Sequence, residues 1–128
     1  MGADEWSLPV LVLRTADWVP QVRERARRSL AAALRSASPA ALLSAASVAV
    51  AIGAWARGGP ALDAVAEALG TAPDEVSATA RTHPDIGVRR LAYRLWLASG
   101  RVRHEEVMRA ALGERDGVCR LRCAEWLR

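Results

Sequence analysis

Cys119 and Cys123 stand four residues apart, a spacing that sets two thiols on one face of a helix, where they could begin a zinc site or a redox pair. A zinc site needs further ligands, and neither a second Cys pair nor a nearby His is present. A disulfide between successive turns of one helix would close almost no loop and add little stability. Buried free thiols in a reducing cytoplasm are the expectation. The two histidines offer little more. His83, in the sequence His83-Pro84-Asp85, is read as an acid, base or ligand only against the simpler role of a capping or packing residue at a bend, and His104 lacks a suggestive neighbour. No Ser/His/Asp set, phosphate-cradling Gly loop or pair of inward carboxylates can be assembled by spacing. The expectation is therefore no catalytic residue, no metal and no cofactor.

The remaining candidates for chemistry are arginines. The chain has 18 Arg and no Lys, a formal net charge of +4 and a pI near 10.4, a balance that invites a nucleic-acid or acidic partner. A positive charge drawn only from Arg, with abundant Ala and no Asn, is equally the mark of a GC-rich coding bias. The pI alone does not select a partner.

The elements that must position these residues are helices. Across 128 residues, 52% of them hydrophobic, Ala dominates and aromatic and β-branched residues are scarce, which favours helix over strand. Trp6 to Arg14 reads as a short helix with Pro9 in its first turn. Asp17 is placed to accept from the free N–H groups of a helix over Val19 to Ala37. Ser38 and Pro39 open a helix running to Arg57 whose Ala45, Ala49 and Gly53 admit a close neighbour. Further helices follow over Ala61 to Leu69, from Pro73 to Arg81, from Asp85 to Ser99, over Arg103 to Leu112, and from Gly117 to the end. The uncharged run from Pro39 to Ala56 is a weak membrane span, better read as a covered helix. The acidic start, MGADEWSL, lacks the basic region of a secretory signal.

One helix-opening phrase recurs. Val22, Arg23, Ala26 and Leu30 share their spacing with Val88, Arg89, Ala92 and Trp96, and with Cys119, Arg120, Cys123 and Leu127. From Val22 to Val88 is 88 − 22 = 66 positions, from Val88 to Cys119 is 119 − 88 = 31, and the middle copy is degenerate. Asp17 and Glu114 each stand five residues before the Val or Cys, His83 takes that place in the central copy, and Asp85 and Asp116 share a second acidic position three before. Such repetition marks an array in which each unit buries a face against its neighbours.

The phrase resembles the HEAT repeats, with sharp motifs only in Ala16 to Leu30, His83 to Trp96 and Glu114 to Leu127. The resemblance implies an all-α, right-handed α-solenoid of antiparallel helix pairs, about eight helices, forming a single domain over residues 1–128 or a fragment of a longer array. It also implies a structural ladder in which Arg23, Arg89 and Arg120 tie adjacent helix starts together through Asp17, Asp85, Glu114 and Asp116. By the same resemblance the function is that of a cytoplasmic scaffold presenting the concave surface of its second helices to a protein partner, with no membrane involved. The rival is nucleic-acid binding, as in the HEAT-like DNA glycosylases. Concave-face candidates are Arg25, Arg28, Arg94 and Arg122. Their aligned columns read Arg25, Leu91, Arg122 and Arg28, Arg94, Glu125. Neither column is uniformly basic, which favours protein over nucleic acid. The last helix, in full motif register to Trp126 and Leu127, is expected to expose apolar surface and to allow self-association through that end.

Overall fold

The computed structural model of the chain describes residues 2–128, with side-chain surroundings from residue 8 onward. Eight helices and no strand are formed among the described residues: α1 (Gly2–Arg14), α2 (Pro20–Leu34), α3 (Pro39–Ile52), α4 (Gly59–Gly70), α5 (Asp74–Arg81), α6 (Ile86–Ala98), α7 (His104–Gly113) and α8 (Gly117–Leu127). The contacts divide the chain into two compact units, Met1–Ala72 and Pro73–Arg128. Each holds four helices.

In the first unit α1 packs on α2 and α3, while α4 packs on α3 and α2. The helix expected from Trp6 begins at Gly2, so Pro9 lies in its interior rather than its first turn; the side chains of Trp6 and Ser7 lie outside the described residues. An interior proline removes a backbone hydrogen bond and costs about 3 kcal/mol. Leu8 and Val12, one turn apart and 1% and 0% exposed, bury enough apolar surface to offset a cost of that size.

Ser38 caps α3 as its sequence implies, accepting from Ala41 N–H at 3.1 Å, with Pro39 following. The buried face of α3 is mostly alanine: Ala41, Ala45, Ala46 and Ala49 are each fully buried, and this is what lets α1 and α4 come close. The helix stops at Ile52 rather than at Arg57. Gly53 N–H bonds back to Val50 C=O and Trp55 N–H to Ile52 C=O, so the chain turns tightly over the end of α3. Gly58 lies directly under that turn, where a Cβ would sit 1.8 Å from Ile52 O. No helix among the described residues is long and apolar enough to cross a membrane.

In the second unit α5 packs on α6, α6 on α8 and α7 on α8. Asp85 caps α6 by accepting from Gly87 N–H at 2.8 Å, and Asp116 caps α8 by accepting from Cys119 N–H at 3.1 Å. Gly100, after α6, has φ +74°, a conformation that costs glycine nothing and any other residue strain. The core of the α6, α7 and α8 cluster is Tyr93, Val107, Cys119 and Cys123. Trp126 and Leu127, expected as open apolar surface, pack in part against this cluster. The exposed apolar side chains of α7 and α8 are instead Met108, Leu112, Val118 and Leu121.

The phrase read from the sequence has a helical counterpart. Val22, Val88 and Cys119 are each the third residue of their helix, and so is Ala61 in α4, which heads the file Ala61, Val65 and Leu69 at the same spacing, all buried. Helix α4 thus shares the register of the phrase without its residues. In it Leu62 holds the Arg position, and its Cδ2 occupies the space that a Cβ on Gly53 would need.

Candidate functional site

The turn between α7 and α8 is the most strongly knit part of the second unit. Glu114 Oε1 accepts from Arg89 Nη2 at 2.5 Å and from the N–H groups of Arg115 and Asp116 at 2.9 Å, and the Tyr93 hydroxyl also favours the charged form of the same carboxylate. Burial alone would raise this carboxyl, but these donors together with the Arg89 charge outweigh it and hold Glu114 below its ordinary value. The next residue of α6, Arg90, grips Asp116 with two bonds, Nε to Oδ2 at 3.0 Å and Nη2 to Oδ1 at 2.8 Å. That bidentate pair, against a smaller opposing effect of burial, holds Asp116 well below the usual carboxylate range.

Two neighbouring arginines thus tie the start of α6 to the turn before α8, Arg89 through Glu114 and Arg90, which the repeat comparison passed over, through Asp116. The signal was present: two adjacent Arg at the start of α6 match two carboxylates, Glu114 and Asp116, at the start of α8. Arg23 does not reach a carboxylate. Its Nη1 donates to the main-chain oxygen of Asp17 at 3.1 Å, while Asp17 Oδ1 accepts from Val19 N–H. The physical reason is that Ala56, five residues before Ala61, stands where the next acid would be. Arg120 is exposed and pairs with no carboxylate among the described residues.

The residues that might have carried reaction chemistry are held by structural bonds. His83 Nδ1 accepts from Asp85 N–H at 3.0 Å, the capping role at a bend. Cys119 and Cys123 are free and fully buried. Burial first, and then the hydrogen bond to Asp116, pushes the Cys119 thiol up to about 12; burial raises Cys123 as well. Because the thiolate is the reactive form, we expect neither cysteine to react with Ellman's reagent in the folded protein at pH 8, and both to react once urea unfolds the second unit. Rapid labelling of the native chain would contradict this. Among the described residues no three His, Cys, Asp or Glu side chains gather as a metal-ion set.

The concave-face candidates separate into two groups. Arg25 and Arg28 are exposed on α2, with Arg28 Nη1 3.9 Å from Glu24 in a solvent-facing pair. Arg94 and Arg122 come together. They flank an open groove of about 390 Å³ between α6 and α8, lined also by Leu97, Ala98, Glu125 and Trp126. Leu91, aligned with Arg25 and Arg122, is buried, so that column is not a continuous exposed stripe.

A second opening, unmarked by the repeat pattern, lies among α5, α6 and α7. It is an open cleft of about 420 Å³ whose walls carry Arg81, Tyr93, Trp96, Glu106, Arg109 and Glu114. The Arg81 guanidinium carbon stands 3.8 Å from the centroid of the Trp96 ring, and Tyr93 meets Trp96 edge-on with ring centroids 5.9 Å apart. Sequence reasoning missed this pairing because the two residues lie on different helices at no repeating interval. No protein-family model matches the chain, and no curated protein or solved structure does.

Proposed function

We propose that this chain is a non-catalytic scaffold, a HEAT-like right-handed solenoid of antiparallel helix pairs, that binds an acidic segment of a cytoplasmic protein partner in the groove between α6 and α8. The observation that carries the reading is the composition of that groove. Arg94 and Arg122 stand at its sides with no carboxylate within ion-pair distance among the described residues, and Leu97, Ala98 and Trp126 supply apolar lining. Two free guanidinium groups fit carboxylates bidentately, and the apolar lining fits a side chain between them. Support for the architecture comes from the third-residue register shared by α2, α4, α6 and α8 and from the contacts of α2 with α4 and of α6 with α8. Support for a non-catalytic role comes from His83, Cys119, Glu114 and Asp116, each already engaged in capping or packing.

Nucleic-acid binding is the second reading, favoured by the same two exposed arginines. Leu97 and the indole of Trp126, which line the groove, suit an apolar peptide side chain better than a phosphate backbone. The test is a peptide array of acidic and neutral segments probed with the wild-type chain and with Arg94→Glu/Arg122→Glu. Selection of acidic, apolar-anchored peptides by the wild type, lost in the double variant, is expected. Identical selection by both proteins would remove the groove from the account.

A further inference from the structure

We propose that the cleft among α5, α6 and α7 is a separate anion site, in which Arg81 and Arg109 hold a carboxylate or phosphate group of a metabolite-sized ligand. The charges around the cleft are unevenly matched. Glu114 Oε1 already accepts from Arg89 and from two backbone N–H groups. Glu106, the other acid on the wall, is drawn away to Arg103, whose Nε donates to it at 3.0 Å. Both anions of the cleft are thus bonded to cations that do not line it. The two cations that do line it, Arg81 and Arg109, have no carboxylate within ion-pair distance among the described residues.

Arg81 is also preorganised. Its guanidinium plane is held against Trp96 at 3.8 Å, and its Nη1 donates to Ser77 Oγ at 2.8 Å. A guanidinium fixed by stacking and by one hydrogen bond keeps further N–H donors for an anion and loses little freedom when it binds one. It is partly withdrawn from water; desolvation lowers its proton affinity without neutralising it, and a less hydrated cation gives up less solvation on meeting an anion. The rest of the wall is small or open. Ala78, Ala110 and Gly113 line the cleft, and a Cβ on Gly113 would touch nothing within 4 Å. A volume of about 420 Å³ is that of a small-molecule site.

The experiment is a titration of the isotope-labelled full chain with succinate and, separately, with inorganic phosphate, at an ionic strength of about 0.15 M to screen diffuse attraction. Saturable shifts at the side-chain signals of Arg81, Arg109 and Trp96 are expected with one of the two probes, and which one responds assigns the ligand to carboxylates or to phosphates. Arg109→Ala, an exposed position, should weaken that binding at least tenfold, as should Arg81→Ala, while Arg101→Ala should leave it unchanged. Succinate and phosphate that both fail to saturate, or that bind Arg109→Ala as well as the wild type, would overturn the proposal. Because Arg94 and Arg122 take no part, the outcome is independent of the α6/α8 groove.

Discussion

Glu114→Ala should be among the most damaging single changes in the second unit, lowering its stability by about 2 to 4 kcal/mol. The side chain is 6% exposed, and its loss strands the Arg89 guanidinium and two backbone N–H groups at the start of α8. Arg89→Ala removes one donor from a carboxylate that keeps both backbone N–H donors, and should cost less, about 1 to 3 kcal/mol. Arg120→Ala, in the same column but exposed and unpaired, should leave the melting temperature unchanged. Urea unfolding followed by near-UV circular dichroism orders the three, and equal midpoints would show that the ladder is not what holds α6 to α8. The acid response follows from the same groups. Glu114 and Asp116 have folded values below their ordinary 4.5 and 3.8. The stability they contribute is therefore complete above those values and is lost as pH falls through the depressed ones. Glu114→Ala should flatten part of that acid limb.

Gly58→Ala should destabilise the first unit by about 1 to 2 kcal/mol, a sign opposite to what its backbone angles suggest. At φ −86° and ψ −18° an alanine is conformationally welcome and would ordinarily stabilise by about 0.4 to 1 kcal/mol through the unfolded chain. Here the new methyl group would sit 1.8 Å from Ile52 O and 2.6 Å from Ile52 C. Both atoms are backbone at the end of a packed helix, so relief requires moving the α3–α4 turn, and overpacking of that kind costs about 1 to 3 kcal/mol. Gly59→Ala is the matched control, since a Cβ there meets nothing within 4 Å. Thermal melts of the two variants should move in different directions, or the second not at all. A Gly58→Ala protein as stable as the wild type would mean that the turn is looser than described.

Helix starts were legible in this sequence because their chemistry is local. Ser38 with Pro39, and Asp85 at the break before α6, each announce a cap that forms as written; Asp116, read as a ladder acid, caps α8 as well. Helix ends were less so. Nothing between Ile52 and Arg57 says that α3 stops early; the reason is the return of the chain across Ile52 at Gly58, a tertiary contact. The site divided in the same way. Arg94 and Arg122, singled out at equivalent places of the recurring phrase, line one groove between α6 and α8. Arg90 was missed because its own column reads Glu24, Arg90 and Leu121, which repeats nothing, and its partner Asp116 was assigned to the ladder of Arg23, Arg89 and Arg120. The stacking of Arg81 on Trp96 had no signal at all, since it depends on how the end of α5 meets the last turn of α6.

The most direct measurement is the affinity of the chain for an acidic peptide with one large apolar side chain and for a duplex of random-sequence DNA, each followed across a salt series. A peptide-binding scaffold predicts saturable peptide binding that depends weakly on salt and falls at least tenfold in Arg94→Glu/Arg122→Glu, beside weak and unspecific DNA binding. Submicromolar DNA binding at physiological salt, with a steep decline of affinity as salt rises, would contradict it, because that slope counts phosphates neutralised by arginine.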